Sequence, residues 1–455
     1  MLVAFDKRRE LCYNSLVFSL INQTKERKTM KLNYKRTILV GFAFFLISAF
    51  WQAYDTIVPL ILTNRFGMEQ TYSGIIMSLD NIFAVILLPI FGTLSDKTRT
   101  KYGKRTPYIT VGTLLAAAFL ILLGFTAKLV LFVLVLLMCL LSMAAFRSPA
   151  VALMPDVTVK PLRSKGNAII NLMGTAGGML VLGLSIVFKT NTAGKTDFSA
   201  YLIAVSVVMV GALVAFLLTV KEPQWSDEAE KENAKLDEAN AEKLHEEKVV
   251  GKLSKQEFIS LILILASVAL WYIGYNAVTS KYSVYATEIL KVPYNVTLLV
   301  AQGAAIVSYI PVGMVASKIG RKKTILAGVL MLTVAFAAAS FIKEGTAPIV
   351  MYLLFCLAGI GWATINVNSF PMVVELAKNG DVGKYTGFYY TASMSAQIVT
   401  PIFSGLLIDS IGWHVFFPYA AIFAGCAFVT MFFVKHGDSK PEQQGALESL
   451  GGADD

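Results

Sequence analysis

Residues 92–107 read GTLSDKTRTKYGKRTP, and residues 313–323 read GMVASKIGRKK. Each stretch begins with a glycine near the end of an apolar run and passes through a second glycine, Gly103 or Gly320, into a basic cluster. Another apolar run follows each cluster. Two loops of one pattern, 221 residues apart, indicate a chain built from two similar halves.

The similarity of the halves extends past these loops. Pro149 lies 57 residues after Gly92, and Pro371 lies 58 residues after Gly313. An acidic residue follows shortly after each proline, and the two are Asp156 and Glu375. A chain of two similar halves suits a transporter that rocks one half against the other around a central site.

Twelve apolar runs are long enough to cross a bilayer, which takes about 20 residues of helix. Because lipid offers no hydrogen-bond partners, we expect each run to be a helix. The runs lie at about 37–63, 71–95, 106–127, 129–153, 166–188, 199–220, 258–284, 295–317, 324–342, 347–373, 386–408 and 413–435. The sequence therefore predicts an all-α integral membrane protein with two pseudo-symmetric six-helix bundles around a central cavity.

The composition excludes several other classes of protein. Of the 455 residues, 56% are hydrophobic and only 15% are charged, against about a quarter in soluble domains. The mean hydropathy is +0.63. These values exclude a soluble enzyme, a disordered protein and a collagen-like fibre. The four cysteines and three histidines are scattered along the chain, so we expect no disulfide framework, metal site or cofactor.

Charge divides the chain into domains. Residues 221–257 contain eleven acidic residues and seven lysines and are predicted to be a solvated, partly helical cytoplasmic linker. The other predicted parts are a largely disordered N-terminal extension (1–35), a six-helix bundle (36–220), a second six-helix bundle (258–436) and a disordered acidic tail (437–455).

Lysine and arginine also predict the orientation. If the N-terminus is cytoplasmic, the short inner loops carry 14 Lys and Arg residues and the outer connections carry 6. This bias favours a multi-pass cell-membrane protein with both termini in the cytoplasm. The net charge of +10 then reflects the inner loops and does not indicate nucleic-acid binding.

The sequence resembles the major facilitator superfamily. Residues 313–323 resemble its signature loop, G-x-L-A-D-R-x-G-R-K-K, with Ser317 where an aspartate is usual. Residues 92–107 keep that aspartate as Asp96 and have four extra residues before the second glycine. This longer form is similar to sucrose transporters and to the glycoside–pentoside–hexuronide cation symporters. The resemblance implies that the first, fourth, seventh and tenth runs line a central cavity.

The resemblance to these symporters has two departures. Asp80 stands alone, where melibiose-type symporters have two aspartates four residues apart that form a cation site. Val151 stands where plant sucrose transporters have an arginine, and Arg147 occupies the glutamine position of the same motif. The missing aspartate pair favours a proton over sodium as the coupling cation.

The charged loops are expected to gate the inner face. Gly92 and Gly313 should allow close packing of the second run on the eleventh and of the eighth on the fifth. Asp96 should accept hydrogen bonds from the N-terminus of a neighbouring helix. The alternative is that these charges only set the topology. The predicted gating residues are Gly92, Asp96, Arg99, Gly103, Arg105, Asp156, Gly313, Gly320, Arg321 and Glu375.

Asp55 and Asp80 are the two carboxylates predicted to lie deep within apolar runs. By helical rise, both lie about 12–14 Å from the outer end, at one level. A carboxylate inside the membrane is costly and is a functional candidate. We therefore predict that Asp55 and Asp80 serve cation coupling or substrate binding. The alternative is that each hydrogen-bonds a neighbour, such as Asn81, and stabilises packing.

Polar and aromatic residues recur at helical spacing on the first, seventh and tenth runs. Aromatic faces stack on the apolar face of a sugar, and amides bind its hydroxyls. Arg147 could donate bidentate hydrogen bonds to hydroxyls or to a carboxylate; alternatively it forms an inner-gate ion pair. An aromatic belt at the membrane interface is the alternative for the tryptophans. The predicted substrate-binding residues are Trp51, Gln52, Tyr54, Asp55, Arg147, Trp271, Tyr275, Asn276, Trp362, Asn366, Asn368 and Gln397.

These features predict a secondary active transporter, not an enzyme. The expected activity is proton-coupled symport of a glycoside, such as the disaccharides sucrose or maltose, by a monomer. A sodium-coupled sugar symporter and an exporter or antiporter of another small solute remain alternatives. A non-transporting sensor is less favoured because residues 221–257 are too short and too charged to form a sensor domain.

Overall fold

The structure, a computed structural model, describes residues 32–241, 254–376 and 382–437. Most of the predicted N-terminal extension and tail, and residues 242–253 of the linker, lie outside the described residues. Within the described residues, twelve helices are long and apolar enough to cross a membrane. The predicted all-α fold with twelve spans is therefore confirmed.

Six membrane-spanning helices form the N-terminal bundle. The first, α1, passes without a break into a π-helical turn at Ile61–Arg65. Its N-terminus is capped by the side chain of Asn33, which accepts a hydrogen bond from the backbone N–H of Arg36 at 3.1 Å. The helices are α1 (Tyr34–Leu60), α2 (Gln70–Lys97), α3 (Thr106–Phe125), α4 (Leu129–Val157), α5 (Arg163–Val187) and α6 (Ser199–Thr219).

A charged helix, α7 (Glu222–Ala241), follows the first bundle, and a second set of six spans forms the C-terminal bundle. Its first helix, like α1, continues into a π-helical turn, at Tyr285–Leu290. The helices are α8 (Lys255–Val284), α9 (Tyr294–Ile319), α10 (Arg321–Ala339), α11 (Pro348–Val374), α12 (Val382–Ile411) and α13 (Phe416–Phe432).

The two bundles pack their helices in equivalent pairs. In the first bundle α1 packs on α5, α2 on α4, and α3 on both α4 and α6. In the second, α8 packs on α12, α9 on α11, and α10 on both α11 and α13. The bundles meet where α2 contacts α12, α5 contacts α9 and α1 contacts α8.

We call the end that carries Gln70, Glu288 and Asp409 the distal end, and the end where α1 begins and α6 finishes the proximal end. At the distal end, a Cβ atom added to Gly74 of α2 would lie 2.0 Å from the carbonyl oxygen of Pro401 on α12. These two helices are therefore in backbone contact, which a larger side chain would prevent.

Candidate functional site

A cavity between the bundles is formed by two adjoining chambers. The polar chamber, of about 210 Å³, contains Asp55, Asp80 and Arg147. The aromatic chamber, of about 430 Å³, contains Tyr272, Tyr275 and Trp362. Taken together, the two volumes lie in the range of small-molecule sites, about 300–1,000 Å³. Both chambers share a wall made by Trp51, Asp55, Asn276, Thr279 and Gln397.

The charged groups of the polar chamber come from three helices of the first bundle. Arg147 on α4 lies with its guanidinium carbon 5.3 Å from the ring centre of Trp51 on α1, within the range of a cation–π contact. Asp80 on α2 accepts hydrogen bonds from the backbone N–H of Asn81 at 2.5 Å and from its side-chain amide at 2.7 Å.

Two charged side chains of the polar chamber, those of Asp55 and Arg147, are placed to bind a ligand. Within the described part of the chain, neither forms a hydrogen bond or an ion pair, although their charges and that of Asp80 act on one another. A buried polar group without a partner is costly. The carboxylate of Asp55 and the five donors of Arg147 are therefore available to a cation and to a polar ligand.

The aromatic chamber is built around Trp362 on α11. The ring of Tyr275 on α8 stacks on it with centres 3.6 Å apart and planes 4° apart, and Tyr272 meets it edge-on at 5.4 Å. In the same chamber, the side-chain amide of Gln302 on α9 donates to the side-chain oxygen of Gln52 on α1 at 2.5 Å. The chamber thus offers aromatic faces and amide groups together.

The structure brings eight of the twelve predicted substrate residues to the cavity wall; they are Trp51, Gln52, Asp55, Arg147, Tyr275, Asn276, Trp362 and Gln397. Four others are not among the lining residues. Tyr54 and Trp271 are buried within their bundles. Asn366 is also buried, and Asn368 donates to the carbonyl of Thr364 at 3.0 Å. Helix rotation turns these four side chains into the bundles.

Sequence reasoning missed several lining residues, above all Gln302. It is contributed by α9, one of the helices that the resemblance did not place at the cavity. An amide within the apolar run 295–317 was the signal that could have found it.

Among the described residues, no group of three or more His, Cys, Asp or Glu side chains could hold a metal ion.

The charged loops form matching ion pairs at the proximal end. Arg105 donates to Asp156 at 2.7 Å and also binds Ser95 and Asp96. In the second bundle, Arg321 pairs with Glu375 at 2.7 Å. Gly103 and Gly320 have φ of 109° and 93°, which glycine adopts without strain.

Two details of the loops differ from the predictions. Asp96 binds Arg105, and it is Glu222 that accepts the N–H groups at the start of α3. Gly92 lies against α4 and not α12, because an added Cβ would meet the hydroxyl of Ser148 at 2.9 Å. Arg99 donates to the backbone carbonyls of Asp96 and Thr98. The docking of α7 explains the difference at Asp96, and the rotation of α2 explains the difference at Gly92.

Two matching six-helix bundles, equivalent charged loops and a polar cavity between them define a membrane transporter of the major facilitator class. The chain belongs to the MFS/sugar transport protein family, whose model matches residues 39–413. Members of this family are transporters and not enzymes, so the chain is a multi-pass membrane transporter of the sugar type.

The chain is similar to several known proteins. It is 23% identical to an uncharacterized MFS-type transporter of Methanocaldococcus jannaschii over 88% of this chain and 95% of the relative. Shorter matches are 29% identity to a chloramphenicol resistance protein of Acinetobacter baumannii (32% of this chain, 34% of that protein) and 34% to a sucrose transport protein of Arabidopsis thaliana (16% and 12%).

The fold is similar to solved transporter structures. The inward-open xylose transporter of E. coli matches with a TM-score of 0.63 at 14% identity, over 91% of this chain and 98% of that chain. At this level of identity, the likeness shows the fold alone.

Proposed function

We propose that the protein is a proton-coupled symporter that imports a glycoside, such as the disaccharides sucrose or maltose, across the cell membrane by alternating access. The observation that carries the proposal is the cavity, in which Asp55 and Arg147 form no hydrogen bond or ion pair with any described residue and which also contains the stacked rings of Tyr275 and Trp362. One chain encloses this cavity, so a monomer suffices.

The chemistry of the cavity suits a neutral sugar and a proton. The aromatic faces suit the apolar face of a pyranose, and the amides and Arg147 suit its hydroxyls. The two carboxylates and one arginine carry a formal charge of −1, so one bound proton makes the polar chamber neutral. A neutral chamber costs less to enclose in low dielectric. We propose that this neutralisation, on Asp55 or Asp80, permits the loaded carrier to change sides.

The test is uptake of radiolabelled maltose and sucrose into proteoliposomes with and without an imposed pH gradient. We expect the gradient to drive accumulation of at least one sugar. Asp55→Asn should abolish accumulation but retain sugar exchange, because the amide cannot release a proton. The control is Asp197→Asn, which changes an exposed aspartate at the distal end.

Two outcomes would contradict this proposal. Uptake that ignores the pH gradient would remove the proton-coupling assignment, and an Asp55→Asn protein that still accumulates sugar would show that Asp55 is not the coupling carboxylate. Accumulation that follows a sodium gradient would favour the sodium symporter. A second candidate is an exporter of another small solute. Because part of the chain is similar to a chloramphenicol resistance protein, chloramphenicol is the solute to test, and its loss from preloaded vesicles, without sugar uptake, would support this candidate.

A further inference from the structure

Helix α2 begins at the distal end with its first backbone N–H groups bonded to the other bundle. Asp409 on α12 accepts hydrogen bonds from the N–H of Gln70 at 2.9 Å, from the N–H of Thr71 at 2.6 Å and from the hydroxyl of Thr71 at 2.5 Å. The first N–H groups of a helix lack partners within it, and the positive end of its dipole favours a carboxylate. Asp409 therefore caps a helix of the opposite bundle.

Lys281 strengthens the same contact from a third helix. Its side chain on α8 is 1% exposed, and its Nζ donates to the carbonyl oxygen of Gln70 at 2.8 Å. The charge of Asp409 also acts on this ammonium group. Gln70 is thus held through its N–H by α12 and through its carbonyl by α8.

A second carboxylate of the C-terminal bundle closes another part of the distal end. Glu288 accepts hydrogen bonds from the side-chain amide of Asn64 at 2.8 Å and from the backbone N–H of Gly194 at 3.0 Å. Both donors belong to the N-terminal bundle. Two acids of one bundle therefore bind N–H groups of the other.

Close packing brings α2 and α12 into backbone contact beside these bonds. A Cβ atom added to Gly405 of α12 would lie 2.3 Å from the carbonyl oxygen of Gln70. The bond of Lys281 to Gln70 is buried and is therefore made in low dielectric, where it is strongest, whereas the carboxylate of Asp409 lies at the exposed rim of the contact.

We propose that Asp409, Lys281 and Glu288 form a distal latch that holds this end of the transport pathway shut and must release in every transport cycle. Separation of the bundles would admit water, which can hydrate the freed carboxylates, ammonium and N–H groups. Because each lost bond is replaced by one to water, release is reversible. The latch closes the transport pathway, and its role does not depend on which solute is carried.

The experiment measures distances between spin labels on the full-length protein in lipid nanodiscs, without substrate. The native cysteines are replaced by serine. One pair, at Lys128 and Glu344, places exposed labels on the two bundles at the distal end; a second pair, at Lys101 and Lys323, reports on the proximal end.

Asp409→Asn should raise the ratio of distal-open to distal-closed molecules about tenfold, which corresponds to about 1.4 kcal/mol. The distal distances should lengthen and the proximal distances shorten. Lys281→Met should act in the same direction. Thr71→Val removes one of the hydrogen bonds and keeps the charges, so it should produce a smaller shift. If Asp409→Asn does not fold, the distances measured in Thr71→Val test the latch in its place.

The matched control is Asp197→Asn. Asp197 also caps a helix at the distal end, but within one bundle: the hydroxyl and N–H of Ser199 donate to it at 2.7 and 2.9 Å, which lowers the pKa of Asp197. Its substitution should leave both distance distributions unchanged. Unchanged distances in the Asp409, Lys281 and Thr71 variants, or an equal shift in the control, would overturn the latch. Since no sugar or pH gradient is present, failure here is separate from failure of the symporter proposal.

Discussion

Arg105 and Arg321 occupy equivalent positions in the two bundles but have different surroundings. Arg105 binds two carboxylates and the hydroxyl of Ser95. Among the described residues, Arg321 binds one carboxylate, and its buried Nε has no hydrogen-bond partner there. The reason is local in sequence: Ser317 replaces the aspartate of the first copy, and its hydroxyl bonds to the carbonyl of Met314 in its own helix.

This difference predicts unequal effects of removing the two arginines. Arg105→Ala should lower the free energy of unfolding by about 3 kcal/mol, because it leaves Asp156 and Asp96 without their buried partner. Arg321→Ala should cost less, since one ion pair is lost. Chemical unfolding in detergent measures both, and the exposed Arg99→Ala should change stability by less than about 0.5 kcal/mol. Equal losses for Arg105 and Arg321 would contradict the assignment.

At the scale of elements, α7 differs from the solvated linker that its composition suggests. Glu222, Trp225 and Ala229 recur at helical spacing and are buried against the first bundle. Glu222 accepts the backbone N–H groups of Lys104, Arg105 and Thr106 at 2.7–2.8 Å. The linker helix therefore caps α3 and fixes the charged loop.

The cap predicts a local effect of Glu222. Glu222→Ala should destabilise the start of α3 by about 2 kcal/mol, the upper range for a helix cap. Hydrogen–deuterium exchange should become faster at residues 104–106. Glu230→Ala, an exposed acid on the same helix, serves as the control. Unaltered exchange at residues 104–106 would mean that the loop does not depend on α7.

At the scale of the whole molecule, hydrogen bonds between the bundles cluster at the distal end, and the charged loops lie at the proximal end. Basic residues of short loops remain on the cytoplasmic side during insertion. We therefore propose that the proximal end, with both termini, faces the cytoplasm and that the latch closes the outer end.

Thiol labelling of whole cells tests this orientation. In a background without native cysteines, Glu344→Cys should react with a membrane-impermeant maleimide added to intact cells. Lys101→Cys should react only after the membrane is permeabilised. The reverse pattern would show that the proximal end is external, whereas the fold would be unaffected.

Sequence by itself determined the twelve spans, the two similar halves and the family. In lipid, a run of about 20 apolar residues satisfies its backbone only as a helix, so the hydropathy of each run decides its structure without reference to its neighbours. The repeated loops also named Arg105, Asp156, Arg321 and Glu375 as gating residues, but the pairing of each arginine with its carboxylate is visible only in the structure.

Only the tertiary structure decided which polar side chains meet. The rotation of each helix turns Trp271 and Asn366 into the bundle core and Gln302 into the cavity, although all three lie in apolar runs. The docking of α7 and the contact of Asp409 with Gln70 join residues 118 and 339 positions apart. Hydropathy carries little information about rotation or partner, because lipid and a neighbouring helix present similarly apolar surfaces.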